Sequence, residues 1–257
     1  MKKISVCGKG GSGKSVIVTL LANGMQKRGY QVLVVDSDES NPGLYRMLGL
    51  KKRPDPLLGL VGGKKNVFRT FSEESDPSKN ILTQEEIRTA DLPRQYIVET
   101  DGIRLVCIGK VLQSLEGCAC PMGALSREFL KRLCLQEDEV AIVDMEAGIE
   151  HFGRGVETSI DSVLIVVEPS FDSLELAEKI NTLAAAEVGM DNTWTILNKV
   201  MSEEITLKLR DELERKSMAV IGSIGYDPDV FQSCLEGRPL HSNKAEKDFE
   251  KVLDQLL

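Results

Sequence analysis

Eight consecutive residues, Gly8-Lys9-Gly10-Gly11-Ser12-Gly13-Lys14-Ser15, carry chemistry most directly. Gly8, Gly13, Lys14 and Ser15 fall at the spacing GxxxxGK[ST], a loop that strips side chains from the backbone so that its N–H groups can wrap phosphate oxygens. In such a loop Lys14 neutralises the β- and γ-phosphates and Ser15 holds Mg²⁺. Lys9 is not required for that cradle. Two acidic strand ends follow. The run Asp36 to Asn41 (D-S-D-E-S-N) places Asp36 and Asp38 where ligands of an open parallel sheet sit, beyond the carboxyl ends of the strands. The apolar stretch Ala141–Val143 closes on Asp144 in D-M-E-A-G, the pattern of a carboxylate that reaches Mg²⁺ through water. Acidic residues at strand ends also cap helices, and D-M-E-A-G also fits a surface turn. The order loop, Asp38, Asp144 favours phosphate chemistry.

A second chemistry lies in Gly117-Cys118-Ala119-Cys120-Pro121. Two thiolates separated by one residue can address one ion, yet tetrahedral zinc and square-planar nickel(II) both want four ligands. His151 and His241 are the imidazoles of the chain, and neither has ligand spacing to this pair. Inert buried thiols and a redox dithiol remain readings of the same two residues. Cys7, Cys107 and Cys134 fall in apolar stretches and predict core packing; Cys234 carries no assignment. His151 predicts packing or a contact with the turn after Asp144.

These residues need a frame that holds strand ends together. Unbroken apolar runs recur at Lys3–Cys7, Gln31–Asp36, Ile103–Ile108, Val140–Asp144, Ser162–Val167, Thr193–Leu197 and Ala219–Ile224, as strands buried on both faces require. Helical patterns separate several of them, at Lys14–Arg28, Ala124–Leu135, Ser173–Val188 and Glu203–Lys216. The alternation predicts an α/β fold with a doubly wound, mostly parallel sheet and helices on both faces. Tyr96–Glu99 and Ile103–Ile108, joined by Asp101-Gly102, predict one antiparallel hairpin. The chain reads as one domain over residues 1–257, with a loop-rich insertion at about 50–91, where Pro54, Pro56, Gly59 and Gly62-Gly63 interrupt any period. The segment Asn243–Leu257 places Phe249, Val252, Leu253, Leu256 and Leu257 on one helical face. Its polar face is more acidic than basic, which predicts packing on the domain rather than grip on a membrane.

At 257 residues the chain can bury a sizeable core. A net charge of −8 argues against a broad nucleic-acid surface, and no apolar run is long enough to span a bilayer. With no signal-peptide pattern before the first strand, the expected location is the cytoplasm, where thiols stay reduced rather than disulfide-bonded.

With Lys9 inside it, the loop resembles the deviant phosphate loop of dimeric ATPases of the MinD, ParA and nitrogenase-iron-protein class. The resemblance implies a P-loop NTPase of the SIMIBI class in which Lys9 reaches across to the partner's nucleotide. Adding the run D-M-E-A-G-I-E-H from Asp144 to His151 and the G-C-A-C-P segment, the chain resembles the CooC family, ATPases that serve nickel insertion into carbon monoxide dehydrogenase. AcsF, which serves acetyl-CoA synthase, is a close relative of that family. The likeness implies ATP with Mg²⁺ as the nucleotide. Within that site Asp38 orients the attacking water, Asp36 supports Mg²⁺ or the loop, and Lys9 and Lys14 stabilise charge at the transferring phosphoryl group. It places Asn198 and Lys199 at the purine ring, with Asp227-Pro228 closing the other side. It implies a homodimer in which Cys118 and Cys120 of both chains gather around one Ni²⁺ or Zn²⁺, with a nickel enzyme as client and no nucleic acid or membrane partner. An iron–sulfur carrier or reductase of the Mrp or nitrogenase-iron-protein type is the alternative, since four thiolates across a dimer also hold a [4Fe–4S] cluster.

Overall fold

Each apolar run becomes a strand, and the strands align so that the acidic ends meet the phosphate loop. The computed structural model describes residues 2–38, 40–72, 80–109 and 120–256. In chain order the elements are β1 (Lys3–Gly8), α1 (Lys14–Lys27), β2 (Gln31–Asp36), α2 (Leu44–Met47), α3 (Val67–Thr70), β3 (Val98–Thr100), β4 (Ile103–Cys107), α4 (Cys120–Arg132), β5 (Glu139–Asp144), α5 (Glu150–Gly153), β6 (Ser162–Val167), α6 (Phe171–Val188), β7 (Thr193–Val200), α7 (Glu203–Arg215), β8 (Val220–Gly225), α8 (Pro228–Glu236) and α9 (Asn243–Leu256). The sheet runs β3-β4-β2-β5-β1-β6-β7-β8, parallel throughout except for the β3–β4 hairpin. That hairpin turns on Asp101 and Gly102, both at positive φ, the backbone that a tight two-residue turn demands.

Side chains alternate along each strand into two cores. Ile4 and Val6 of β1 join Ile17 and Leu21 of α1 and Phe249 and Leu253 of α9; Cys7 joins Phe129 of α4 and Ile180 of α6. The α9 face is spent on this packing: Phe249, Val252 and Leu253 are buried, and Lys27 and Arg28 pair with Glu246 and Asp254 at its edges. Burying each such side chain is worth about 1.5–3 kcal/mol, so the helix has its apolar partner within the domain. Leu257 lies outside the described residues. No helix among the described residues is long and apolar enough to cross a membrane.

Between β2 and β3 the chain forms α2, α3 and short 3-10 turns, and Leu57, Val61, Val67, Leu82 and Ile87 reach the core beneath α4. Two helices depart from the sequence pattern. The helix expected at Ala124–Leu135 starts at Cys120 and ends at Arg132. Pro121 fits a first helical turn, and beyond Arg132 the backbone bonds to Ile87 instead of continuing. The turn read at Tyr226–Asp229 is the start of α8, with Asp227 as N-cap and Pro228 at its first turn.

Candidate functional site

Strands β1, β2 and β5 end side by side, and their register pairs Val6 with Asp144 and Asp36 with Asp144. The phosphate loop therefore leaves β1 directly over two carboxylates. At Gly13 φ is +96°, a left-handed conformation that costs an ordinary residue energy, and a Cβ there would run into the Asn198 amide. A Cβ on Gly8 would stand 2.5 Å from the Val166 carbonyl oxygen. The loop backbone can occupy this space because it carries no side chains at those points.

The polar groups of the loop are tied to its surroundings. Ser15 donates to Asp144 Oδ2 at 2.6 Å, and the Asn41 amide donates to Ser15 Oγ at 2.6 Å. Lys14 is buried and its Nζ donates to the Lys9 carbonyl at 3.4 Å, folding back over the loop. Ser12 Oγ is buried without a protein partner. Asp38 is buried and accepts from the Ser40 N–H and hydroxyl at 2.8 and 2.7 Å; Asp36 accepts from the Cys107 thiol at 3.6 Å.

The Asp144 carboxyl is strongly perturbed. Burial, reinforced by the neighbouring Asp36, pushes it up to about 7, against the opposing pull of the Ser15 hydrogen bond and Lys14. Its Oδ1 is buried without a partner. Hard oxygen donors on Ser15, Asp36, Asp38 and Asp144, one of them orphaned, fit Mg²⁺, which takes one or two carboxylates and fills its octahedron with phosphate oxygens and water. Immediately after Asp144, Glu146 pairs with Arg154, and Gly148 N donates to the Gly8 carbonyl at 3.4 Å, which couples this segment to the loop.

Asn198 lies at the far side of the loop, buried, with Nδ2 donating to the Ser12 carbonyl at 2.8 Å. Beside it opens a cavity of about 270 Å³ lined by Gly13, Val16, Asn198, Tyr226, Val230 and Phe231, among others. It is of a size for a purine and adjoins the phosphate cradle. Lys199 and Asp227 also line it. The Asp227 carboxylate itself is occupied elsewhere: it caps α8 through Asp229 and Val230 and accepts from Ser242. What Asp227 gives the cavity is its position in the wall, with its carboxylate spent on the cap.

Two residues that the sequence did not single out join the site. Asn41 bridges the second strand's loop to Ser15. Glu168, one residue past β6, accepts from Lys9 Nζ at 3.1 Å and from Lys199 Nζ at 3.3 Å. Burial raises the Glu168 carboxyl, but the bonds from the two lysines outweigh it and hold the group below the usual glutamate range. A charged residue closing a buried parallel strand was the available signal, the same one that marked Asp36 and Asp144.

The cysteines divide. Cys7 and Cys107 are buried, as their apolar settings imply; Cys134 is only half-buried, and Cys234 is exposed beside the cavity. Cys118 lies outside the described residues. Cys120 begins α4, exposed and disulfide-bonded, contrary to the expectation of reduced thiols throughout. His151 on α5 is buried and hydrogen-bonded through Nδ1 to Glu157, with Cys7 beside them.

Comparison with known proteins follows the same line. The sequence pattern of the family described as CobQ/CobB/MinD/ParA nucleotide binding domain matches residues 4–240. An uncharacterized ATP-binding protein of Methanocaldococcus jannaschii is 43% identical over 252 residues, 98% of this chain and 99% of that one. The carbon monoxide dehydrogenase accessory protein CooC of Rhodospirillum rubrum is 32% identical over 264 residues, 99% of this chain and 97% of that one. Among solved structures, the Pyrococcus furiosus cell division ATPase MinD matches over the whole of both chains with a TM-score of 0.66 at 20% identity. MinD from Pyrococcus horikoshii complexed with Mg-ADP matches with a TM-score of 0.68 at 17% identity, covering 98% of this chain and 94% of that one.

Proposed function

The chain belongs to the CobQ/CobB/MinD/ParA family of nucleotide-binding domains, and from that premise we propose that it is an ATP-hydrolysing, homodimeric metallochaperone that loads nickel into a metalloenzyme cluster. The observation that carries the ATPase half is the cluster of Lys14, Ser15, Asp36 and Asp144 at a glycine loop, its lysine and two carboxylates buried, with a purine-sized cavity alongside. The nickel half rests on full-length similarity to CooC and on the pair Cys118 and Cys120.

In this reading the loop N–H groups and Lys14 hold the β- and γ-phosphates, and Asn198 and the α8 wall hold the base. Mg²⁺, when bound, withdraws charge from the phosphate oxygens; Ser15 and Asp144 are the residues placed to hold it, with Asp36 behind them. Asp38, at the mouth of β2, orients the attacking water. Lys9 of each chain completes the partner's site, and Lys9 with Lys14 stabilises the charge that develops on the transferring phosphoryl group. Loss of the γ-phosphate releases Asp38 and the Asp144–Gly148 segment, and the dimer geometry changes. The cargo ion is a substrate held by Cys118 and Cys120 of both chains. It needs thiolates, so the carrying form is the reduced one. The client is carbon monoxide dehydrogenase or acetyl-CoA synthase, and the protein works in the cytoplasm without nucleic acid or membrane.

Metal analysis of the reduced protein with a non-hydrolysable ATP analogue tests this reading. The expected result is one Ni²⁺ per dimer, abolished in the Cys118→Ala/Cys120→Ala variant while ATP still binds. Unchanged metal content in that variant would refute the shared site. A broad absorption band with roughly four irons per dimer would make the protein an iron–sulfur carrier instead. Lys9→Ala is expected to keep nucleotide affinity and lose hydrolysis.

A further inference from the structure

Lys9 is assigned above to a neighbour's nucleotide, yet within this chain it already has a partner. Its Nζ lies 3.1 Å from Glu168 Oε1. The second oxygen of the same carboxylate takes Lys199 Nζ at 3.3 Å, and Lys199 also donates to the Gly11 carbonyl. Glu168 is held firmly for this. Its N–H donates to Ser173 Oγ at 3.1 Å, its carbonyl accepts from Ser170 N at 2.7 Å, and Ser170 caps α6. One fixed carboxylate thus grips a lysine from the phosphate loop and a lysine from the wall of the base cavity.

We infer that Glu168 is a positioning residue, an intramolecular latch that keeps Lys9 in its own subunit and so sets the protein concentration at which the ATP-bound dimer forms. This rests on the dimeric reading proposed above. Lys9 has one ammonium group on one flexible stem. Engaging a phosphate across the dimer and pairing with Glu168 are therefore competing uses of the same charge. The latch is soft by construction: Lys9 is about one-third exposed and Glu168 about one-fifth. A partly exposed pair shifts an equilibrium by a factor of roughly two to five. Two latches must open for every dimer, so neutralising Glu168 strengthens dimerisation by roughly four- to twenty-five-fold. The Lys199 bond to the Gly11 carbonyl does not involve Lys9, so the loop has a support that is independent of the latch.

The test is Glu168→Gln, which keeps the size of the side chain and its capacity to accept. Sedimentation at saturating Mg²⁺ and a non-hydrolysable ATP analogue measures the dimer dissociation constant of four proteins: wild type, Glu168→Gln, Lys9→Ala and the double variant. Glu168→Gln should dimerise about four- to twenty-five-fold more tightly, and the gap should narrow as salt screens the wild-type pair. In the Lys9→Ala background the same substitution should change nothing. Competitive acetylation of Lys9 in the nucleotide-free protein reads the latch separately, with Lys9 reacting roughly two- to five-fold faster in Glu168→Gln. A dissociation constant within twofold of wild type overturns the latch while leaving the dimer intact. An effect that persists without Lys9 overturns it in favour of a general electrostatic role. If neither wild type nor variant dimerises, the latch falls together with the dimeric reading, whatever the acetylation rates.

Discussion

Glutamine in place of Glu157 isolates the most deeply buried ion pair beside the switch segment. His151 and Glu157 are 2% and 1% exposed, the first on α5 just after the Asp144–Gly148 run, the second on the 3-10 turn Val156–Ser159. Burial opposes the charged imidazole. The Cys7 sulfur and the Glu157 carboxylate outweigh that opposition and push His151 up to about 10. In the unfolded chain a histidine titrates near 6.5, so the folded value is the higher one. The pair's contribution is then fully present below about pH 6.5 and is lost as pH climbs through about 10. That interval corresponds to a ceiling of roughly 5 kcal/mol for everything that favours the charged imidazole, the Cys7 sulfur included. Removing one partner of a buried pair elsewhere costs about 3–5 kcal/mol, which sets the scale expected for Glu157. Urea unfolding of wild type, Glu157→Gln and His151→Gln between about pH 6 and about pH 10 measures it. Glu157→Gln should lose about 3–5 kcal/mol at the acid end, a fall in melting temperature on the order of 10 °C, and the gap should close toward the alkaline end. A gap below about 1 kcal/mol, or one that does not change with pH, would refute the charged pair.

Two further substitutions address the loop and its carboxylate. Gly13→Ala must hold a left-handed φ and drive its methyl into the Asn198 amide; it should cost about 1–3 kcal/mol and at least roughly tenfold in affinity for a fluorescent ATP analogue, and wild-type binding would contradict the close packing described. Asp144→Asn removes a charge that burial and Asp36 disfavour. It should stabilise the nucleotide-free protein at pH 8 by about 1–3 kcal/mol in thermal unfolding while abolishing the tightening of nucleotide by Mg²⁺, and a destabilised variant would mean the carboxylate is better compensated than its surroundings indicate.

The parts of the site written in local spacing were legible in the sequence. Gly8 to Ser15 declares itself within eight residues, and Asp36 and Asp144 announce themselves as acids that close apolar strands. The parallel sheet follows from the same runs, since uninterrupted apolar strands need cover on both faces. The elements that escaped depend on contacts between distant segments. Nothing in the sequence near Arg132 shows that Ile87 will take over the backbone bonds and end α4 there. The Asp227-Pro228 turn reads equally well as a loop closing on a base or as an N-cap, and Ser242, fifteen residues on, helps commit the carboxylate to the cap. Glu168 carries a sequence signal no weaker than that of Asp144. Its meaning depends on Lys9 and Lys199, which the fold brings to it from distant segments.

The hydrogen bonds around the loop also bear on how the site uses ATP. Lys14 grips the Lys9 carbonyl, Asn198 the Ser12 carbonyl, Lys199 the Gly11 carbonyl, and Ser15 the Asp144 carboxylate. Three of these bonds fix carbonyls of the loop itself, and Ser12 N also donates within the loop, to the Lys9 carbonyl at 3.1 Å. Two of the donors, Lys14 and Ser15, are also the groups that phosphate and Mg²⁺ would engage. Binding therefore exchanges partners for these side chains rather than drawing bare charges from water, and the net gain is the difference between charge-assisted bonds to phosphate and the internal ones given up. Asp144 is placed to gain from the exchange, because it holds a buried, orphaned oxygen next to Asp36 that a cation would satisfy. Under the ATPase reading proposed above, a site arranged this way would respond to the charge and metal content of its nucleotide, which is what a switch driven by loss of a γ-phosphate requires.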